Sequence, residues 1–216
     1  MTSMKTTAKI KICGLTAPKE AQYLNENQID FAGMVLFFPK SKRCITIERA
    51  KEIIARLSDT VKSVAVVVSP SLEQVRQIGD AGFSYIQIHG EIPDGIGKVS
   101  QMPILKAFNV SDLEQYEKYH NNPQIAGYVL DAHEAGSGKT FDWSLVEKLP
   151  RDGKLFLLAG GLNPQNVGEA LRIVQPDGVD VSSGVENESG CGKDPEKIRA
   201  FAQEVRNELG NYLEMK

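Results

Sequence analysis

Apolar residues fall along this chain in two alternating rhythms. Short runs rich in Val, Ile, Leu and Phe, each bounded by turn-forming residues, predict strands at 8–13, 31–37, 63–69, 85–89, 104–108, 125–131, 154–160 and 178–182. Between them the apolar positions take helical spacing. Thr46 stands before Ala50, Ile53, Ile54 and Leu57, while Ser71 with Gln74 and Ser111 with Glu114 read as capping boxes. Asn163-Pro164 opens a stretch that presents Val167, Ala170, Leu171 and Val174, and Asp194-Pro195 opens one that presents Ile198, Phe201, Val205 and Leu209. Residues 91–101, EIPDGIGKVSQ, interrupt the rhythm with Gly and Pro and predict a short or distorted helix.

Strand and helix alternate from end to end, without a Pro/Ser/Gly-rich linker, which predicts parallel pairing built from strand–helix units. Eight such units within 216 residues fit an α/β fold with one closed parallel eight-stranded sheet, a single (β/α)8 TIM barrel over 1–216. An open dinucleotide-binding sheet fits less well, since no GxGxxG turn follows a strand. In a barrel of this kind the chemistry sits where strands end and the following loops begin.

Charge narrows the function classes. Twenty-five Lys plus Arg against 28 Asp plus Glu leave a net charge of -3, so no overall field draws in nucleic acid or an anionic membrane. An anionic ligand has to be held by local groups. The opening MTSMKTTAKIKIC lacks the pattern of a secretory leader and no apolar run reaches membrane-spanning length, from which a cytoplasmic protein is expected. Three cysteines (Cys13, Cys44, Cys191) and three histidines (His89, His120, His133) without ligand spacing predict reduced thiols and no metal.

The predicted strand ends carry the candidate chemistry. Cys13 closes 8–13 with Gly14 behind it, where a thiolate serves as base or nucleophile, or a thiol serves only as a small buried hydrophobe. Lys40, Lys42 and Arg43 crowd the loop after 31–37, either as a clamp for an acidic substrate or as a solvated turn. Asp131 ends the apolar run YVLD, where burial would make it a usable acid, though a capping or loop-anchoring role fits the same position. Gly160 and Gly161 end one strand, and Ser182, Ser183 and Gly184 end the next. Their small residues expose amides that can cradle a phosphate, or they simply permit tight turns. His89, at the end of 85–89, faces the pocket or is a hydrogen-bonded structural histidine. The GSGKT at 136–140 is not a nucleotide-binding P-loop, because position 133 is His where that motif requires Gly.

Taken in order, KICGLT (11–16), FFPKSKR (37–43), IQIHG (86–90), SGKTFDW (137–143), LAGGLNPQNV (158–167) and DVSSGVE (180–186) resemble phosphoribosylanthranilate isomerases over nearly the whole chain. The resemblance implies a (β/α)8 barrel that rearranges N-(5-phosphoribosyl)anthranilate to its 1-deoxyribulose form in tryptophan biosynthesis, without metal or organic cofactor. It implies Cys13 as general base, Asp131 as general acid, Arg43 at the anthranilate moiety, and Gly160, Gly161, Ser182, Ser183 and Gly184 around the phosphate. The expected partner is a small phosphosugar, not nucleic acid or membrane, handled by a monomer or homodimer. Two segments depart from the family pattern: 132–138 is short, and 188–193 replaces a proline-containing turn. The alternatives are another phosphosugar barrel such as indole-3-glycerol phosphate synthase, which would need a catalytic lysine and further carboxylates, or a non-catalytic phosphate-binding barrel. A general base has to ionise near neutral pH, so Cys13 is expected to carry a lowered pKa, set by helix N-termini and the cationic loop.

Overall fold

The computed structural model describes residues 8–119, 122–131, 143, 149, 151–190 and 192–214. The candidate segment 136–140 and also His120, His133 and Cys191 lie outside them.

Nine strands form one all-parallel sheet: β1 (Lys9–Cys13), β2 (Phe31–Leu36), β3 (Cys44–Ile45), β4 (Lys62–Val68), β5 (Tyr85–His89), β6 (Ile104–Asn109), β7 (Ile125–Asp131), β8 (Leu155–Ala159) and β9 (Gly178–Val181). Pairing runs β1-β9-β8-β7-β6-β5-β4-β2, and a further β1–β2 ladder closes the ring into an eight-stranded barrel. All eight predicted strands are present, with ends that differ by at most a residue or two. The two-residue β3 was not predicted. It pairs with Val35 and Leu36 just beyond the point where β1 stops opposite Gly33, taking up ladder positions on β2 that β1 leaves open. This contact folds the Lys40–Arg43 loop back over the barrel rim.

Side-chain alternation sorts each strand between two cores. Phe31, Val64, Val66, Leu105, Ala107, Val129, Leu157 and Ala159 fill the barrel interior. The intervening residues, such as Ile10 and Ile12 on β1, meet the surrounding helices in the larger core. Cys13 is packed against the interior cluster, and Lys11, two residues before it, shares its face.

The helices are α1 (Glu20–Glu26), α2 (Ile47–Ile54), α3 (Leu72–Asp80), α4 (Ile96–Val99), α5 (Tyr116–Tyr119), α6 (Val167–Val174) and α7 (Pro195–Glu214). Their starts follow the predicted caps where the cap is local. The Thr46 hydroxyl accepts from the Arg49 amide at 3.2 Å, and Ser71 with Gln74 makes the reciprocal capping box. Asp194 accepts from the Glu196 and Lys197 amides at 2.9 and 3.1 Å. Each such cap contributes about 1 kcal/mol. α4 has only four residues, as the Gly- and Pro-rich 91–101 predicted.

Two starts differ from expectation. Ser111 lies inside a 3-10 turn, Val110–Gln115, that leads into the four-residue α5, instead of standing before an α-helix. α6 begins at Val167, three residues after Pro164, because Asn163 and Asn166 first close a turn: the Asn163 amide donates to Asn166 Oδ1 at 2.8 Å. Val167, Ala170, Leu171 and Val174 are nonetheless buried as the helical spacing required.

Candidate active site

The C-terminal ends of the strands enclose one cavity that gathers residues far apart in sequence. Cys13 from β1, His89 from β5 and Asp131 from β7 line it, together with Arg43 from the loop after β2. Gly160 and Gly161 after β8, and Ser182 and Ser183 after β9, form the adjoining wall. The fold thus brings together most of the residues picked out by sequence; of the cationic loop only Arg43 reaches the cavity, and Lys40 and Lys42 do not line it. Gly184 stands behind the wall, where a Cβ would collide with the Leu162 carbonyl oxygen, so its small size serves the contact between the loops after β8 and β9.

Around the ring β1 and β7 are separated by β9 and β8, so the thiol and the carboxylate approach the cavity from different sides. Gly160 and Gly161 take φ of 96° and 63°, which frees the chain to turn its amides at the cavity wall at low steric cost. The Asn166 amide group donates to the Gly161 carbonyl at 3.0 Å and pins that loop. Ser182 Oγ donates to the Cys13 carbonyl at 2.9 Å, tying the wall to the thiol-bearing strand.

Arg43 passes directly over Gly14, whose φ is +81° and whose missing side chain leaves room for the arginine stem. Its Nε donates to Glu186, which also takes Lys42 Nζ at 2.9 Å. Burial works against ionised Glu186, but these two cations, with Lys193, hold its carboxyl below the usual range. The cationic loop is therefore anchored by an ion-pair network and is not merely a solvated turn.

His89 lies 2.9 Å from the Gln87 side-chain amide through Nε2. Burial first, then the positive charges of Lys11 and Lys106, push its pKa down to about 4, so it stands in the cavity as a neutral imidazole. Gln87 Oε1 is buried without a hydrogen-bond partner among the described residues, and so is Asp180 Oδ1; both residues line the cavity. Leaving an acceptor unmet costs about 1–3 kcal/mol, a cost that a hydroxyl-bearing ligand in the cavity removes.

The expected lowering of the Cys13 pKa is not what the site produces. Burial raises it above the ordinary thiol value; Lys11 and Lys193 pull it down, and Asp180 pushes it up again. Desolvation of an anion outweighs the nearby cations. Nor do the cations come from the source expected: Lys11 is on the thiol's own strand and Lys193 follows β9.

Several polar residues of the site escaped sequence reasoning. Lys11 is fully buried and its Nζ donates to Asp180 Oδ2 at 2.7 Å. Lys193 Nζ donates to the Ser182 carbonyl at 3.0 Å, and its amide donates to Glu20 Oε1 at 2.6 Å. The available signal was the charged residue inside an apolar strand: KIKIC places Lys11 on the face of Cys13, and GVDV inserts Asp180 among valines.

Residues 10–204 match the family model of N-(5'phosphoribosyl)anthranilate (PRA) isomerase. An N-(5'-phosphoribosyl)anthranilate isomerase from Aquifex aeolicus (strain VF5) is 39% identical over 206 residues, covering 93% of this chain and 99% of that protein. A phosphoribosyl anthranilate isomerase crystal structure from Thermotoga maritima superposes with a TM-score of 0.81 at 36% identity, covering 93% of this chain and all of that one. A further crystal structure, of a phosphoribosyl anthranilate isomerase in complex with reduced 1-(o-carboxyphenylamino)-1-deoxyribulose 5-phosphate, has a TM-score of 0.77 at 34% identity, covering 93% of this chain and all of that one. Among the described residues no helix is long and apolar enough to cross a membrane.

Proposed function

The chain belongs to the N-(5'-phosphoribosyl)anthranilate isomerase family, and from that membership we propose how its cavity carries out the reaction. The chain is an isomerase of tryptophan biosynthesis: it converts N-(5'-phosphoribosyl)anthranilate to 1-(2-carboxyphenylamino)-1-deoxyribulose 5-phosphate, an Amadori rearrangement.

The observation that carries the residue roles is the meeting of a thiol, a carboxylate and an amide-rich wall on one cavity. Asp131 delivers a proton to the furanose ring oxygen, and the ring opens to an iminium. The iminium acidifies the C2 hydrogen, which the Cys13 thiolate removes to give an enolamine; this tautomerises to the ketone. Gly160, Gly161, Ser182 and Ser183 hold the phosphate through backbone amides and hydroxyls, with Gly184 keeping the two loops in contact. Arg43 pairs with the anthranilate carboxylate from the loop after β2, and His89 with Gln87 meets the sugar hydroxyls. Holding both substrate ends lets positioning supply part of the rate. The partner is thus a small phosphosugar.

The test is the fall of anthranilate-type fluorescence as phosphoribosylanthranilate is consumed by the purified chain. Turnover by the native chain, with near-complete loss in folded Cys13→Ser, fits these roles. A folded Cys13→Ser that turns over normally removes Cys13 from the mechanism.

A further inference from the structure

Two acids on two neighbouring strands share a single cation. Lys11 and Cys13 are two residues apart on β1 and face the same interior, and Asp180 is the register partner of Lys11 on β9. Lys11 is wholly buried and Asp180 is 6% exposed. The ammonium donates to Asp180 Oδ2 at 2.7 Å, and its charge pulls the Cys13 thiol toward ionisation. Gly33 makes this possible, since a Cβ there would stand 3.1 Å from both Cys13 Sγ and Lys11 Nζ. Asp180 Oδ1 has no hydrogen-bond partner among the described residues.

A buried ammonium can neutralise one anion. A carboxylate and a thiolate together would leave a net negative charge inside the barrel, which burial penalises heavily. Two arrangements leave the trio uncharged: ionised Asp180 with the Cys13 thiol, or protonated Asp180 with the Cys13 thiolate. We infer that Lys11 is a positioning residue for the base, holding Cys13 and Asp180 as alternative anions around one ammonium, so that Cys13 becomes a thiolate as Asp180 takes up its proton. The S–H bond breaks with its electron pair left on sulfur, an O–H bond forms on Asp180, and Lys11 stays an ammonium throughout. When the thiolate later removes the substrate's C2 hydrogen it returns to the thiol, and Asp180 then releases the proton it had taken up to the solvent of the cavity, which restores the ionised carboxylate on Lys11. This inference rests on the reading of Cys13 as general base.

The surrounding charges act on both acids, with Lys193 drawing each toward its anion. From β7, Asp131 pushes Asp180 toward its neutral form, and from the turn after β9, Lys193 adds positive potential at Cys13 while Glu186 lies 3.6 Å behind it. His89 on β5 is neutral, Arg43 from the loop after β2 is paired with Glu186, and β2 presents only Gly33 at this level. Burial raises the proton affinity of both Cys13 and Asp180, and the charge of Asp180 raises that of Cys13 further.

The test is peptide-resolved alkylation of Cys13 by iodoacetamide as a function of pH, on the full chain without substrate, alongside kcat and KM. Lys11→Met should move the alkylation profile to higher pH and slow labelling at neutral pH by at least about tenfold, with the loss of turnover in kcat more than in KM. Lys11→Arg should restore most of the profile. Asp180→Asn should act in the opposite direction and speed alkylation, because the competing anion is gone. An unchanged profile in Lys11→Met overturns the inference, and so does slower or unchanged alkylation in Asp180→Asn. Should Lys11→Met not fold, Asp180→Asn alone decides. Labelling needs no turnover, so the two ideas separate: shifted profiles with an active Cys13→Ser would remove the base assignment and leave the trio, while fixed profiles with a dead Cys13→Ser would do the reverse.

Discussion

Two Asp–Lys pairs sit at opposite ends of the barrel, and they have opposite characters. Before β8, Asp152 accepts from the Tyr128 hydroxyl at 2.8 Å through one oxygen and from the Lys154 amide at 3.1 Å through the other. The Lys154 ammonium stands 3.2 Å from the same carboxylate and also donates to the Asn122 carbonyl at 2.8 Å. Both carboxylate oxygens are met. At the cavity end, Asp180 has one oxygen on Lys11 and the other without a partner among the described residues, as has Gln87 Oε1 on the same cavity. Burial opposes the charged form at both sites, yet Asp152 is held at about 2 by its donors while Asp180 is pushed up. A satisfied pair fixes structure; an incompletely satisfied one leaves capacity for ligand and proton.

The sharpest way to break this contrast is to remove the proposed acid. Asp131→Asn should fold normally and lose at least about 100-fold in kcat, a near-normal rate being the outcome that withdraws Asp131. The lower end should respond the other way: Asp152→Ala should cost about 1–3 kcal/mol in urea unfolding, by removing the acceptor of both the Tyr128 hydroxyl and the Lys154 amide, with kcat unchanged. A large kcat loss there would erase the division between the two ends.

Acid adds a signed test. Because the folded Asp152 carboxyl sits at about 2, its stabilisation is fully present above the unfolded carboxylate value and is lost as pH falls through the folded one. The native chain should therefore lose stability between about pH 5 and pH 2 more steeply than Asp152→Asn, as read from urea midpoints. Parallel curves would show that Asp152 contributes nothing.

Smaller effects sharpen the rim itself. Arg43→Ala should raise KM by about tenfold, well beyond Lys40→Ala, since a partly buried charged contact is worth about 1.5–3 kcal/mol and an exposed lysine far less. Equal effects would dissolve the special standing of Arg43. Inorganic phosphate should compete with substrate at millimolar concentration, given the amide-rich wall after β8 and β9. Strictly noncompetitive inhibition would move the phosphate subsite elsewhere.

What the sequence determined by itself was everything set by near neighbours. Short apolar runs bounded by turn-forming residues marked all eight barrel strands, Thr46, Ser71 and Asp194 marked helix starts through bonds spanning two or three residues, and the strand-end rule led to Cys13, Asp131 and the glycine- and serine-bearing loops. Tertiary structure decided what depends on burial and on residues distant in the chain. Lys11 meets Asp180 across 169 positions only because β1 closes the ring against β9, and Arg43 meets Glu186 only because β3 folds its loop over the rim. The Cys13 thiol went up instead of down for the same reason: proximity of cations is partly visible in KIKIC, but the loss of water that outweighs them is a property of the closed barrel, which no local pattern encodes.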